Sequence, residues 1–170
     1  MVTKTRDIPK NINDLDQLYQ KSWRSSRRQF FYSKLAVLEV CGWIEETMDD
    51  IVKDCSNRKI AKPSNQSDIN ELVKRNYGFH YKNNFRKMLI PIIGLSQIEK
   101  IEKHLSLQGA LPVLESKLDS LKIIRNQFAH TSTQIGIIPN CNAPSVTRND
   151  FLVIYNALRE YEKALRKFRC

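Results

Sequence analysis

Six consecutive residues at the end of one amphipathic stretch hold the densest chemistry in this chain: Arg125-Asn126-Gln127-Phe128-Ala129-His130. They combine a permanently charged guanidinium, an amide, and an imidazole that titrates near neutrality. Metal-independent cleavage of RNA needs such groups. A base takes the proton from the 2′-hydroxyl, positive charge stabilises the crowded phosphorane, and an acid protonates the leaving 5′-oxygen. His130 suits the proton transfers. Arg125 suits the phosphate, because its planar fork donates two hydrogen bonds. Asn126 suits the orienting of phosphate or imidazole. Spacing adds a constraint. Asn126 and His130 are four apart and share a helix face. Arg125 and His130 are five apart, which is about 140° on an unbroken helix. Either the helix distorts near Ala129, or two chains combine their motifs across a two-fold axis.

The same residues have plainer readings. Leu114, Leu118, Leu121 and Phe128 form the apolar stripe of this helix, with Ile124 at its edge. Arg125 falls about 20° from Leu114, inside the stripe. A guanidinium buried there needs a carboxylate or a ligand, and Glu39 and Glu45 are the candidate partners. His130 alone reads as a helix-end imidazole favoured by the dipole. The pattern also recurs at Arg75-Asn76-Tyr77-Gly78-Phe79-His80. That copy contains Gly and two aromatics in an irregular stretch, whereas the later copy ends a clear amphipathic helix. Context therefore favours Arg125, Asn126 and His130 as the catalytic set.

The elements that position these residues are helical. Five Gly and six Pro in 170 residues are few for an all-β fold. Residues 1–10 read as a frayed arm ending at Pro9. A first helix is predicted over residues 13–26, capped by Asn13 or Asp14, with Leu15, Leu18 and Trp23 as apolar contacts. A long second helix covers 27–55. Val37, Cys41, Ile44, Met48 and Ile51 step by 4, 3, 4, 3 along it, and Leu38 and Val52 widen the stripe. Gly42 costs about 1 kcal/mol there relative to Ala and leaves room for a neighbouring helix. Residues 56–66 form a polar loop, and Ser67 or Asp68 starts the next helix. Residues 76–84 are a helix break or a loop. A helix then runs from Asn84 to Pro91, with Gly94 ending it, and a short helix covers 96–105. The motif helix spans 111–130, and a loop with Pro139 and Pro144 covers 131–146. Thr147-Arg148-Asn149-Asp150 opens the last helix, whose seam is Ile154, Leu158, Tyr161, Leu165 and Phe168. The prediction is an all-α, up-and-down bundle forming one domain over 1–170, with an inserted helical segment at about 56–110.

A net charge of +10 points to a polyanion partner or to a solvated basic surface. Lys122, Lys82, Arg86 and Lys87 are the candidate RNA contacts, and Lys21, Arg24 and Arg28 step along another basic face. Tyr77, Phe79 and Tyr81 read more readily as core than as base-stacking platforms. Glu45, Glu46, Asp49 and Asp50 read as surface charge rather than a metal site. The four cysteines show no CxxC pairing, which points to a reduced, cytoplasmic setting without zinc or disulfides. No cofactor or metal is called for, and no signal run or membrane span is visible.

The chain resembles the HEPN-domain superfamily, in particular prokaryotic HEPN-like ribonucleases of the RiboL-PSP-HEPN type. Arg125, Asn126 and His130 match that superfamily's Arg, polar residue and His near the end of a bundle helix, and Ala129 before the His also fits. The likeness covers residues 13–55 and 111–168. It implies a four-helix core and a homodimer with a composite active site. It also implies endoribonuclease activity leaving a 2′,3′-cyclic phosphate and a 5′-hydroxyl. Roles as a toxin or an effector in phage defence follow from the same likeness, with an antitoxin or activating partner. A non-catalytic module binding RNA, nucleotide or protein is the alternative. A nucleotide-transfer regulator is a third, which no Gly-rich phosphate loop supports.

Overall fold

The computed structural model describes residues 1–130 and 142–168, with His130 described for its backbone only. Seven α-helices and one π-helical turn follow in order. They are α1 (Ile8–Lys21), α2 (Ser26–Lys59), α3 (Pro63–Lys74), the π-turn (Tyr81–Phe85), α4 (Arg86–Ile93), α5 (Leu95–Leu107), α6 (Ala110–His130) and α7 (Pro144–Lys167). Among the described residues there is no strand, and the all-α bundle with an inserted helical segment is what the sequence predicts.

Helix α2 is the spine. Its 34 residues span about 51 Å. It packs on α1, α6 and α7, and α7 in turn packs on α1 and α6, which gives the four-helix core. The predicted seam is buried: Val37, Cys41, Ile44, Met48 and Ile51 are at most 5% exposed. On α7, Ile154, Leu158, Tyr161 and Leu165 are fully buried, and Phe168 packs at the edge. The insert (α3, the π-turn, α4 and α5) closes the bundle from α2 round to α6 and α7. A buried hydrogen-bond group ties it to α7. The Tyr81 hydroxyl donates to Glu102 Oε1 at 2.8 Å and lies 3.1 Å from the Tyr161 hydroxyl. Arg86 Nε donates to the same carboxylate oxygen at 2.8 Å. Burial, then the neighbouring Tyr161, pushes the Tyr81 phenol well above its usual range, so it stays a neutral donor.

Three helix starts lie upstream of their predicted caps, and each has the same cause. Helix α1 starts at Ile8 rather than near Asn13, α3 at Pro63 rather than Ser67, and α7 at Pro144 rather than Thr147. Each carries Pro in its first two positions and no side-chain cap bond. Proline's missing N–H costs nothing there, and its fixed φ suits the first turn. The early start of α1 also changes its buried face. Ile8 and Ile12 are buried, while Leu18 and Trp23 are exposed. The predicted polar loop at 56–66 shrinks to residues 60–62, because α2 continues to Lys59. Pro91 lies inside α4 rather than ending it, and Gly94, at φ +76°, is the terminator. Leu38 is 39% exposed and so does not widen the buried stripe. A Cβ on Gly42 would meet nothing within 4 Å, so no helix of this chain uses the room it leaves.

The predicted frayed arm is instead strapped down. Glu162, fully buried, accepts hydrogen bonds from Val2 N (2.7 Å) and Thr3 N (3.0 Å), and Arg166 Nη2 donates to it at 3.1 Å. Trp43 Nε1 donates to the Lys4 carbonyl at 2.8 Å. Arg6 pairs with Glu46 and Asp50. Burial alone would raise the Glu162 carboxyl, but the bonds from Thr3, Val2 and Arg166 outweigh it and hold the carboxyl below its ordinary value. Glu162→Gln is expected to lower unfolding free energy at pH 7 by about 3 kcal/mol, read from the urea midpoint. A depressed folded-state pKa stabilises above the unfolded-state pKa and loses that effect as pH falls through the folded one. The gap between wild type and variant should therefore close below about pH 4.

Candidate active site at the α2–α6 contact

The motif lies where the last turns of α6 cross the first half of α2. The buried seam of α2 extends backwards from Val37 through Lys34 to Phe30. Phe30 meets Phe128 edge-on, with ring centroids 5.6 Å apart. Lys34 Nζ donates to the Phe128 carbonyl at 2.8 Å, placing a cation on a carbonyl of the last turn of α6. Farther along, Arg125 Nη2 stands 3.6 Å from Glu45 Oε1, so Glu45, and not Glu39, is its partner. Arg125 Nη1 donates to Asn126 Oδ1 at 3.3 Å. The two side chains of the ion pair are 40% and 36% exposed, which makes Arg125 half-buried rather than lost in the core.

The separation has chemical meaning. A charge-assisted bond between a guanidinium and a carboxylate closes to about 2.7–2.9 Å. At 3.6 Å the pair with Glu45 is one of charge without a hydrogen bond, and among the described residues the buried Glu45 Oε1 receives none; the guanidinium's hydrogen bond goes to Asn126. Among the described residues Arg125 thus keeps donors of its fork that a phosphate oxygen could take. Cys41 sits beside the pair. Burial pushes its thiol up to about 12, with Arg125 pulling it down and Glu45 pushing it up, so it is a packing residue and no nucleophile. Burial also raises Asp49 to about 6; Lys53 opposes the shift, and Glu45 and Asp50 add to it.

Helix α6 runs as α-helix through His130. The structure therefore brings Arg125, Asn126 and the His130 backbone onto one helix end, with Lys122 one turn earlier and exposed. The other candidate RNA contacts lie elsewhere, on the π-turn and the start of α4. Lys87 is exposed, Lys82 stands 3.7 Å from Glu115, and Arg86 is taken up by Glu102. Of the aromatics nearby, Phe79 and Tyr81 are core and Tyr77 is exposed. Lys34 was missed by the sequence reading. Its signal was the one that marks Arg125, a charge standing in an apolar seam.

The earlier match, Arg75 to His80, folds as a capped turn. Asn76 Nδ2 donates to the Gly78 carbonyl, and Asn84 Nδ2 donates to Asn76 Oδ1 at 2.7 Å. His80 N donates to Asn84 Oδ1, and His80 Nδ1 accepts the Asn83 N–H at 3.1 Å, which caps the π-turn. Nε2 of the same ring lies 3.3 Å from Asp119 Oδ1. Arg75 is exposed, 3.8 Å from Glu71. The small hollow at His80 is also lined by Lys82, Glu115 and Asp119, and Lys82 stands 3.7 Å from Glu115.

Residues 4–168 match the RiboL-PSP-HEPN family model. The chain belongs to the RiboL-PSP-HEPN family. HEPN domains are often ribonucleases and often bind RNA. The match includes α3 to α5. No curated protein and no solved structure matches the chain. Among the described residues no helix is long and apolar enough to cross a membrane.

The raised Asp49 carboxyl makes a prediction for this end of the site. A folded-state pKa above the unfolded one costs stability as pH rises between them, here from about 4 to about 6. Asp49→Asn removes that cost. Its melting temperature relative to wild type is expected to increase across this window and then level off. A flat difference from pH 4 to 7 would contradict the assignment.

Proposed function

We propose that this HEPN domain is a metal-independent endoribonuclease. The 2′-oxygen attacks the adjacent phosphorus, the P–O5′ bond breaks, and the products are a 2′,3′-cyclic phosphate and a 5′-hydroxyl. His130 transfers protons, Arg125 neutralises the charge that builds on the phosphorane, and Asn126 orients the phosphate or the imidazole. The observation that carries this reading is the loosely paired, half-exposed Arg125 on the helix that ends in His130.

An unbroken α-helix from Arg125 to His130 leaves the two positions about 140° apart. This supports the two-chain arrangement over a distorted helix: a homodimer in which the two motifs combine. The basic balance of +10 suits an RNA substrate. A toxin or phage-defence effector in the cytoplasm, restrained by an antitoxin or triggered by an activating partner, is the setting this chemistry fits.

The test is cleavage of total cellular RNA in EDTA, with product ends identified by mass spectrometry. His130→Ala and Arg125→Ala are expected to lower the rate by at least about 100-fold while keeping wild-type circular dichroism. His80→Ala should retain cleavage and lose thermal stability, because it removes a cap. Loss confined to His80→Ala would move the site to the insert. A wild type that binds RNA without cutting it would make the chain a binding module.

A further inference from the structure

Between Asp16 and Glu39 the chain has no Asp or Glu, yet it holds Lys21, Arg24, Arg27, Arg28 and Lys34, interleaved with aromatic residues. The structure gathers the first four of these cations around the turn between α1 and α2 rather than along one helix, since α1 ends at Lys21 and α2 begins at Ser26. All four are exposed. Among the described residues none of them forms an ion pair with a carboxylate. Trp23 stands in the same turn at 68% exposure, and Phe31 early in α2 at 39%. Arg24 lies over the Trp23 ring, 4.6 Å from its centroid, and Arg27 over the Phe31 ring at 5.8 Å. The turn itself is fastened. Ser22 N donates to the Tyr19 carbonyl at 3.1 Å, Ser25 N to the Ser22 carbonyl at 2.8 Å, and the Ser25 side chain caps α2 at Arg28 N.

We propose that this turn and the first turns of α2 bind single-stranded RNA, with bases stacked on Trp23 and Phe31 and phosphates met by Arg24, Arg27 and Arg28. The alternation decides the partner. A nucleic-acid strand presents a flat base and a charged phosphate in every nucleotide, and here each exposed ring has a guanidinium over it. A base stacked on either ring brings its phosphate within reach of that guanidinium. An acidic peptide would use the cations and leave the rings idle. A duplex keeps its bases stacked on one another, so its rings are not offered.

The proposal deepens the ribonuclease reading and rests on it for its purpose. Phe31 meets Phe30 edge-on at 5.9 Å and Phe30 meets Phe128 at 5.6 Å, so three rings join the turn to the motif helix. From Ser26 to Glu45, the partner of Arg125, α2 measures about 29 Å. Beyond Glu45 the helix carries Glu46, Asp49, Asp50 and Asp54. A strand with one phosphate at Arg125 is repelled on that side and drawn towards the turn. Charge thus gives the bound strand one direction along α2, from Arg125 to Trp23. The turn lies far from the bond that breaks, so its contacts are equal in the ground and transition states. They act on KM and leave kcat unchanged.

The test is titration of the full chain with a fluorescent single-stranded oligonucleotide of 2′-O-methyl sugars, which lacks the attacking hydroxyl and is not cut. Trp23→Ala, folded because the ring is exposed, is expected to raise the dissociation constant at least about five-fold. Trp23→Phe keeps a ring and should recover most of that loss. The double variant Arg27→Gln/Arg28→Gln should flatten the slope of log affinity against log salt by about 1.4. A Trp23→Ala protein that binds the strand as tightly as wild type overturns the proposal, and so does a duplex that competes as well as the single strand. If Trp23→Ala instead releases the chain from phosphatidylserine vesicles at unchanged RNA affinity, the patch belongs to a lipid surface and the proposal is overturned. Cleavage is scored separately. On a long strand Trp23→Ala should raise KM at constant kcat, while a dinucleotide, too short to reach the turn, is cut equally by both proteins. A chain that cleaves with KM and affinity untouched by Trp23→Ala keeps the ribonuclease and loses the RNA track. A chain that never cleaves, yet loses affinity on Trp23→Ala, keeps the track and loses the enzyme.

Discussion

Two charges stand in the apolar seams by which α2 and α6 pack, and the site follows from how each is accommodated. An apolar seam cannot accept a lone cation, since stripping water from an ammonium or guanidinium costs several kcal/mol unless a partner is supplied. Lys34 is answered by the carbonyl of Phe128, and Arg125 by Glu45. Both answers join the same two helices, so the cations fix the end of α6 against α2 while remaining near its surface. The difference between them matters. Lys34 makes a full hydrogen bond to backbone, which holds the helix end. Arg125 makes a long pair with a side chain, which leaves donors to spare.

That contact needs a stiff frame, and the frame is polar at both of its outer ties. At one, Glu162 of α7 gathers the backbone of Val2 and Thr3, and the strap continues over α2 through Trp43 and Arg6. At the other, Tyr81, Tyr161, Glu102 and Arg86 lock the π-turn and α5 to α7. Helix α7 shares both ties and packs along α6. Displacing α6 relative to α2 would therefore disturb α7 and its buried carboxylate. The insert is part of this frame, in keeping with its place inside the family match.

The helices were legible in the sequence because their seams are long and regular; α2, α6 and α7 each show four or more apolar steps of three or four. Their starts were less legible. Searching for Ser, Thr, Asp or Asn caps put α1, α3 and α7 several residues too late, when Pro9, Pro63 and Pro144 mark the true first turns. The strap at residues 2–6 was not legible, because its partners lie on α2 and α7, up to 160 residues away. Of the site, Arg125 announced itself as a charge inside a stripe, and Glu45 was one of two partners that spacing allowed. Spacing alone also offered Arg75 to His80. What separates the two matches is three-dimensional: Asn76 and His80 spend polar groups on their own turn with Arg75 out in solvent, whereas Arg125 is half-buried against Glu45 at a helix–helix contact.

Exposure of a second α2 seam, Phe31, Leu35, Leu38 and Gly42, bears on the same point. A helix that is apolar on two opposite sides is usually buried on both, and here only one side is covered by the described residues. The covered side contains the seam cations Lys34 and, across the groove, Arg125. The open side contains Gly42, where an added Cβ would meet no described residue within 4 Å. Glu45 stands where the two sides meet and turns its carboxylate to Arg125. The ion pair therefore lies at the edge of the covered side, where a guanidinium keeps part of its hydration while its stem packs on apolar neighbours.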